Sequence, residues 1–220
     1  MKKKLAVVLI AALTVSTLAV GCGSSKDSSS TDTKETKTES TKDSVSNGGN
    51  TFTVGFDAEY PPYGYMDDDG EYTGFDLELA QAVCDLEGWT LVKKPINWDS
   101  KDMELNSGSI DCIWNGFTMN GREDDYTFST PYVDNSQVIV VAENSGIEKL
   151  SDLAGKTVGV QAASAALDLL NSEEEGGQKA LADTFGSLNE FADYNTAFTE
   201  LQAGALDALA IDIGVAKYQI

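Results

Sequence analysis

The side chains that could perform catalysis or bind a metal are sparse in this chain of 220 residues. There is no histidine, which excludes a Ser-His triad, a histidine general base and most zinc sites. Three consecutive acids at 67–69 lack the alternating spacing of a calcium loop, so a solvated hairpin turn is expected there. The sequence therefore predicts neither a metal site nor a cofactor.

The three cysteines are Cys22, Cys84 and Cys112. Cys84 and Cys112 lie in apolar stretches, where free cysteines usually pack as small hydrophobic residues. A disulfide between them remains an alternative, because sequence spacing does not determine the geometry that a disulfide needs.

Arg122 is the single arginine in a strongly acidic chain, whose formal net charge is -21. Nucleic-acid affinity depends on lysine and arginine neutralising phosphates, so this charge predicts no nucleic-acid partner. An acidic domain also gains nothing electrostatically from anionic lipid.

The elements that must position the polar side chains alternate between strands and helices over residues 51–220. The hydrophobic patterns predict strands at 51–56, 90–94, 110–114, 137–142, 156–160, 191–194 and 207–211, with 137–142 buried. They predict helices at 75–86, 100–106, 164–170 and 196–202, and Asp69-Gly70 indicates a hairpin turn. Such alternation implies an α/β fold with a mostly parallel sheet and ligands at the carboxyl ends of the strands.

A set of short motifs occurs in the order found in one protein family. The motifs are DAEYPPY at 57–63, GFDLELA at 74–80, GSID at 108–111, NGFT at 115–118, FSTPY at 128–132, KTVGVQ at 156–161 and GALDA at 204–208. On these motifs, residues 51–220 resemble the polar amino-acid-binding lipoproteins of ABC importers, the family 3 solute-binding proteins. The resemblance implies the two-lobe type II periplasmic-binding-protein fold and a monomeric receptor, not an enzyme, that delivers a free polar or basic amino acid to an ABC permease.

The resemblance implies that Arg122 clamps the ligand's α-carboxylate, a role that suits the planar guanidinium. Thr118 would donate to the same carboxylate from its hydroxyl and its backbone N–H. Ser164 lies at the N-terminus of a predicted helix, where unpaired N–H groups and the helix dipole favour an anion. A surface ion pair of Arg122 with one of its acidic neighbours is the alternative, and these neighbours are Glu123, Asp124 and Asp125.

Asp212 and the Gly116 carbonyl would bind the ligand's α-ammonium, although Asp212 could instead cap a helix. Tyr60 and Trp98 would sandwich the ligand side chain, the alternative being packing on a lobe surface.

Two sets of side chains favour different ligand specificities. Asp57 and Glu59 favour a cationic side chain such as that of lysine, arginine or ornithine. Asn115 and Trp114 would equally suit glutamine or cystine.

The N-terminus predicts export. Lys2–Lys4 precede an apolar run that is shorter than the ~20 residues of a membrane-spanning helix, and small residues precede Cys22. This arrangement resembles a bacterial lipobox, which implies a lipidated Cys22 after a signal peptide at 1–21 and an extracytoplasmic membrane anchor; a plain signal peptide is the alternative. Residues 22–50 comprise the lipidated cysteine and a polar segment expected to be a disordered tether.

The resemblance divides the remainder into lobe 1 at 51–138, a hinge strand at 139–142 and an incomplete lobe 2 at 143–220. It implies that the C-terminal part of the fold is missing. Two other functions remain open, an exported enzyme on the same fold, such as a cyclohexadienyl dehydratase, and a sensing or adhesion lipoprotein.

Overall fold

The computed structural model describes residues 50–220. The predicted signal peptide, Cys22 and the tether up to residue 49 lie outside the described residues. No helix in the described part is both long enough and apolar enough to cross a membrane.

Strands and helices alternate through the described residues. The strands are β1 (Thr51–Phe56), β2 (Glu59–Tyr60), β3 (Gly64–Met66), β4 (Tyr72–Thr73), β5 (Thr90–Pro95), β6 (Cys112–Ile113), β7 (Gln137–Val141), β8 (Thr157–Gln161), β9 (Ser187–Phe191) and β10 (Ala208–Asp212). The α-helices are α1 (Phe75–Glu87), α2 (Lys101–Asn106), α3 (Ala165–Asn171), α4 (Lys179–Ala182), α5 (Tyr194–Ala203) and α6 (Ile213–Gln219). Two 3₁₀ turns, Trp98–Ser100 and Leu150–Leu153, precede α2 and β8.

The first sheet contains three parallel strands in the order β5-β1-β6. β1 pairs with β5 along its whole length, whereas only two residues of β6 pair with β1. Helix α1 buries Leu77 and Ala80 against Val54 and Phe56 of β1. The helix ends at Gly88, whose left-handed backbone (φ 70°) returns the chain to β5. β2, β3 and β4 form a separate antiparallel sheet.

The second sheet has four strands in the order β7-β10-β8-β9, with β7 antiparallel to β10 and the other pairs parallel. All five residues of its inner strand β10 are buried. Alternate residues of β10 enter two hydrophobic clusters, one with α5 and α6 and the other with α3. This second sheet is therefore covered by helices on both faces, as parallel sheets usually are.

The structure differs from the predicted elements at three strands. The strand predicted at 191–194 is wrong, because β9 ends at Phe191 and Asp193 caps α5, its carboxylate accepting the N–H of Thr196 at 2.7 Å. The strand predicted at 110–114 is reduced to β6. The strand predicted to be buried, β7, is half-buried because it lies at the edge of the second sheet.

Cys84 and Cys112 are both free, so the alternative of a disulfide between them is not realised. Residues 139–141 of the predicted hinge strand belong to β7, in the second sheet. The predicted lobe boundaries remain a prediction.

Candidate functional site

Four strands from the two larger sheets end near one small cavity. Asp57 follows β1, Asn115 lies two residues after β6, and Gln161 and Asp212 end β8 and β10. The cavity has a volume of about 10 Å³, room for about one water molecule. It is lined by Tyr60, Trp98, Asn115, Gly116, Phe117, Thr118, Arg122, Gln161, Ser164, Ala165 and Asp212. Of the ten predicted binding residues, only Asp57 and Glu59 are outside this set.

The Arg122 guanidinium is largely buried and contacts residues from both sides of the cavity. Nη1 donates to the carbonyl of Thr118 at 3.2 Å, and Nη2 donates to the carbonyl of Ala163 at 3.4 Å. Nη2 also forms a 2.6 Å salt bridge with Asp168 of α3. The guanidinium lies 4.9 Å from the ring centroid of Phe117. Its carboxylate partner is therefore 46 residues away in sequence, and the predicted alternative, a pair with Glu123, Asp124 or Asp125, is not formed.

The Asp212 carboxylate is buried and is held by uncharged donors. Oδ1 accepts from Asn135 Nδ2 at 2.5 Å and from Gln137 Nε2 at 2.6 Å, and Oδ2 accepts from the Tyr194 hydroxyl at 3.2 Å. No salt bridge to Asp212 is found within residues 50–220. The residue occupies the N-cap position of α6 but its side chain makes no capping hydrogen bond. The carboxylate is thus available for a role other than capping.

The surroundings of Asp212 are also rich in acceptors. The side-chain oxygens of Asn135 and Gln137 are buried, and neither accepts a hydrogen bond from the described residues. A buried acceptor left without a donor costs about 1–3 kcal/mol. The Asp212 carboxylate itself lines the cavity, where it suits a cationic group with several N–H donors, such as an ammonium.

Ser164 is the N-cap residue of α3, and its Oγ accepts the N–H of Leu167 at 3.2 Å. The residue before it, Ala163, has a left-handed backbone (φ 53°), which is unfavourable for a residue with a Cβ. The tight connection from β8 into α3 brings both Ser164 and Ala165 to the cavity.

Tyr60 and Trp98 are both nearly buried beside the cavity. Tyr60 stacks on Tyr63, with ring centroids 5.4 Å apart, and Trp98 meets Phe117 edge to face at 5.3 Å. Burial, followed by the negative charge of Asp212, raises the pKa of Tyr60 well above its ordinary value, so its hydroxyl stays protonated.

Asn115, Gly116 and Thr118 belong to the segment that follows β6. Asn115 Oδ1 accepts the N–H of Asp57 at 2.9 Å, which fastens this segment to the end of β1. Gly116 has a left-handed backbone (φ 55°), a conformation that favours glycine. The Thr118 hydroxyl accepts from Asn135 at 3.2 Å.

Asp57 and Glu59 lie beside the cavity lining. Asp57 Oδ2 accepts from Gln161 Nε2 at 2.7 Å, and Oδ1 accepts the N–H of Glu59 at 2.9 Å. Burial raises the pKa of Asp57 to about 6. Glu59 is exposed, and its carboxylate accepts from Asn195. Trp114 lines a different cavity. The predicted roles of Asp57, Glu59 and Trp114 in ligand specificity remain predictions.

Sequence reasoning missed several residues of the site. Gln161 and Phe117 line the cavity, while Asn135, Gln137 and Tyr194 hold Asp212. Gln161 ends a parallel strand, so the rule that ligands bind at the carboxyl ends of strands could have found it. No comparable local signal marks Asn135 or Tyr194, because their role depends on contacts 77 and 18 residues away in sequence.

Comparison with known proteins identifies the family of the chain. The family model described as "Bacterial extracellular solute-binding proteins, family 3" matches residues 52–217. The L-cystine-binding protein TcyJ of Escherichia coli is 33% identical over 165 residues, which cover 74% of this chain and 59% of the relative. The arginine-binding extracellular protein ArtP of Bacillus subtilis is 30% identical over 219 residues, which cover 99% of this chain and 75% of the relative.

A solved structure is also similar to this chain. The substrate-binding protein of an ABC uptake transporter from Streptococcus pneumoniae, with bound histidine, has 37% sequence identity and a TM-score of 0.72. The match covers 77% of this chain and 68% of that one. The fold is that of the type II periplasmic binding proteins, and the chain spans about three fifths of the length of TcyJ. The chain belongs to the bacterial extracellular solute-binding proteins of family 3.

Proposed function

We propose that this protein is an extracytoplasmic receptor that binds a free polar or basic α-amino acid and delivers it to an ABC importer. The observation that carries the proposal is the composition of one small cavity. It is lined both by the only arginine of the chain and by Asp212, a buried carboxylate held by neutral donors. These two residues are complementary to the carboxylate and the ammonium of a zwitterion.

Each charged end of the ligand has a defined set of partners in this proposal. Arg122 pairs with the α-carboxylate, with Thr118 and Ser164 as further donors, because a guanidinium recognises a carboxylate through two parallel hydrogen bonds. Asp212 pairs with the α-ammonium, assisted by the carbonyl of Gly116. The buried negative charge of Asp212 supports this orientation, since only the ammonium end of the ligand is cationic.

Binding requires the cavity to widen. A volume of about 10 Å³ admits one water molecule and not an amino acid. The cavity is built from loops of two separate sheets, joined by the connection from β6 to β7. We infer that the sheets move apart to admit the ligand and that the ligand then favours the closed arrangement, a hinge motion typical of such receptors.

The ligand side chain would lie between Tyr60 and Trp98. Asp57 does not line the cavity but accepts a hydrogen bond from Gln161, which does. Asn115 lines the cavity itself. Asp57 and Glu59 would favour a cationic side chain, whereas Asn115 and Gln161 would favour a polar neutral one. The names of the relatives include both classes, arginine for ArtP and cystine for TcyJ.

We further propose that the mature protein is a monomer anchored by lipid on Cys22, with residues 23–50 as its tether. Replacing Cys22 with serine should move the protein from the membrane fraction to the medium without changing ligand affinity. Equal membrane retention of both forms would contradict the lipid anchor.

The function is tested by a thermal-shift screen of the full-length protein against the standard amino acids, L-ornithine and L-cystine, followed by calorimetry. At least one amino acid should raise the melting temperature, because a ligand at 100 times its Kd stabilises the folded state by about 2.7 kcal/mol. The corresponding amine, which lacks the carboxylate, and the des-amino acid should both bind much more weakly. A protein that no amino acid stabilises would contradict the proposal.

A further inference from the structure

The carbonyl oxygen of Ala163 accepts an unusually large number of hydrogen bonds from side chains. It accepts hydrogen bonds from three side chains between residues 98 and 122, namely Trp98 Nε1 at 3.2 Å, Lys101 Nζ at 3.4 Å and Arg122 Nη2 at 3.4 Å. Ala163 also holds a left-handed backbone, a strained conformation that persists only where the surroundings over-determine it. Two of the three donors are cationic, and one of them, Arg122, lines the cavity.

Lys101 is buried to an extent that is rare for lysine, with 5% of its surface exposed. Its ammonium lies 5.1 Å from the ring centroid of Trp98 and makes one long hydrogen bond, to Ala163. Within residues 50–220 no carboxylate forms a salt bridge with it. A buried ammonium with three donors and one weak acceptor is costly, so the position calls for an anion.

Lys101 lies close to a second cation and has no directly paired acid among the described residues. Because Lys101 and Arg122 share one acceptor atom, their cationic nitrogens are within about 7 Å of each other, where like charges repel appreciably inside a protein. Asp168 is paired with Arg122 and more than half of its side chain is exposed. Asp99 and Asp102 flank Lys101 in sequence, but neither pairs with it. In the described part of the chain the Lys101 ammonium therefore lacks a carboxylate within salt-bridge distance, although the acids at 99, 102 and 168 act on it through their charge.

We propose that Lys101 is a second cation of the carboxylate subsite, whose charge helps Arg122 to hold the ligand's α-carboxylate. This inference rests on the proposed function and deepens it. Lys101 acts as a positioning residue, through its electrostatic field and through the Ala163 carbonyl that it shares with Arg122. The carboxylate end of the ligand then brings a negative charge close to both buried cations.

The proposal implies a specific pH dependence. Burial lowers the pKa of Lys101, with Arg122 lowering it further and the acids at 99, 102 and 168 opposing the shift. A bound carboxylate would raise this pKa again, so binding is coupled to protonation of Lys101. Affinity should therefore fall as the pH rises, beginning below the pH at which an ordinary lysine titrates.

The test uses the full-length protein with the tightest amino acid from the ligand screen and the α-carboxamide of the same amino acid. Lys101→Gln keeps a hydrogen-bond donor for Ala163 and removes the charge; Lys101→Met removes both. Lys217→Met is the control, because it removes a lysine from the exposed side of α6. Calorimetry should show that Lys101→Gln weakens the free acid about tenfold and leaves the carboxamide nearly unchanged. The high-pH loss of affinity should shift to higher pH in this variant.

Other outcomes overturn the inference. If Lys101→Gln weakens acid and carboxamide equally, Lys101 supports the fold alone, and if it changes neither, its charge is not used. If Lys101→Met fails to fold, Lys101→Gln decides alone, and if both fail to fold, the role is structural. A wild-type protein that binds no amino acid contradicts the proposed function itself, which distinguishes the two failures.

Discussion

The two larger sheets of this protein differ in how completely they are covered. In the second sheet all of β10 and most of β8 are buried between α3 on one face and α5 and α6 on the other. In the first sheet α1 covers one face, and a cavity of about 530 Å³ lies beside the two-residue strand β6. Six of the fourteen residues that line that cavity are aromatic, namely Phe52, Trp114, Phe117, Tyr126, Phe128 and Tyr132. The indole N–H of Trp114 is buried without an acceptor among the described residues.

This difference separates two ways of placing a proposed binding residue. Asp212 ends a buried strand and is held by three donors, so the packed core of the second sheet determines its position. Arg122 lies in the irregular connection between β6 and β7, and side-chain contacts with α3 and Phe117 position it. We expect mutations to distinguish these cases, since a core-held residue couples binding to stability and a loop-held residue does not.

The largest expected effect is a loss of stability from a mutation in the hydrophobic core of the second sheet. Leu209→Ala in β10 removes a fully buried side chain and should lower the free energy of unfolding by about 3–5 kcal/mol. Leu105→Ala is the matched control in the first half, because Leu105 is half-buried beside the large cavity, and it should cost about 1 kcal/mol. Urea denaturation measures both. Similar losses would contradict the difference in packing.

Arg122→Ala should abolish detectable amino-acid binding while leaving most of the stability. Removing one partner of a buried charge pair costs on the order of 2–5 kcal/mol of binding free energy. Calorimetry measures the affinity and thermal melting the stability. Wild-type affinity in this variant would refute the clamp, and a large drop in melting temperature would show that the connection after β6 is as tightly coupled to the core as β10 is.

Asp212→Asn should weaken α-amino acids by about 1.5–3 kcal/mol and their des-amino analogues much less, since it removes the charge opposite the ammonium. It should also change stability, because Asn135 and Gln137 now face a neutral amide. Calorimetry on both ligand types is the measurement. Equal losses for the two ligands would mean that Asp212 has no part in ammonium binding.

The smallest expected effect is on how stability depends on pH. Asp76 in α1 is buried, one of its oxygens accepts from the Tyr132 hydroxyl at 2.8 Å, and the other accepts nothing within the described residues. Burial raises its pKa to about 6. Because the folded state binds this proton more tightly than the unfolded chain does, Asp76 should lower stability as the pH rises from about 4 to about 6, by about 1–3 kcal/mol.

Asp76→Asn should flatten this pH dependence, and Asp85→Asn on the exposed side of α1 should not. Asp57 has a similarly raised pKa and should retain a slope of the same sign in both variants. Denaturation at several pH values between 4 and 7 measures the effect. An unchanged slope in Asp76→Asn would mean that its carboxyl titrates normally.

Much of the fold was predictable because its signals are local. The alternating residues of β1, the helical spacing that ends at Gly88 and the caps Ser164 and Gly204 depend on neighbours within a few positions. The ordered motifs indicated the family, and the family model confirms it. The prediction was wrong at 191–194, where an apolar Phe-Ala pair precedes a helix cap, since a strand end and a helix start share these residue types.

The sequence by itself determined which chemistry is available, because one arginine, no histidine and acids after apolar strands can be read from composition and order. It also placed Asp212 and Gln161 at strand ends. Only the tertiary structure decided which of these side chains meet. Arg122 pairs with Asp168, not with its acidic neighbours, Asp57 meets Gln161, and Lys101 is buried at Ala163. The physical reason is that periodicity reports burial and local conformation, whereas contacts across dozens of residues depend on how the two sheets pack.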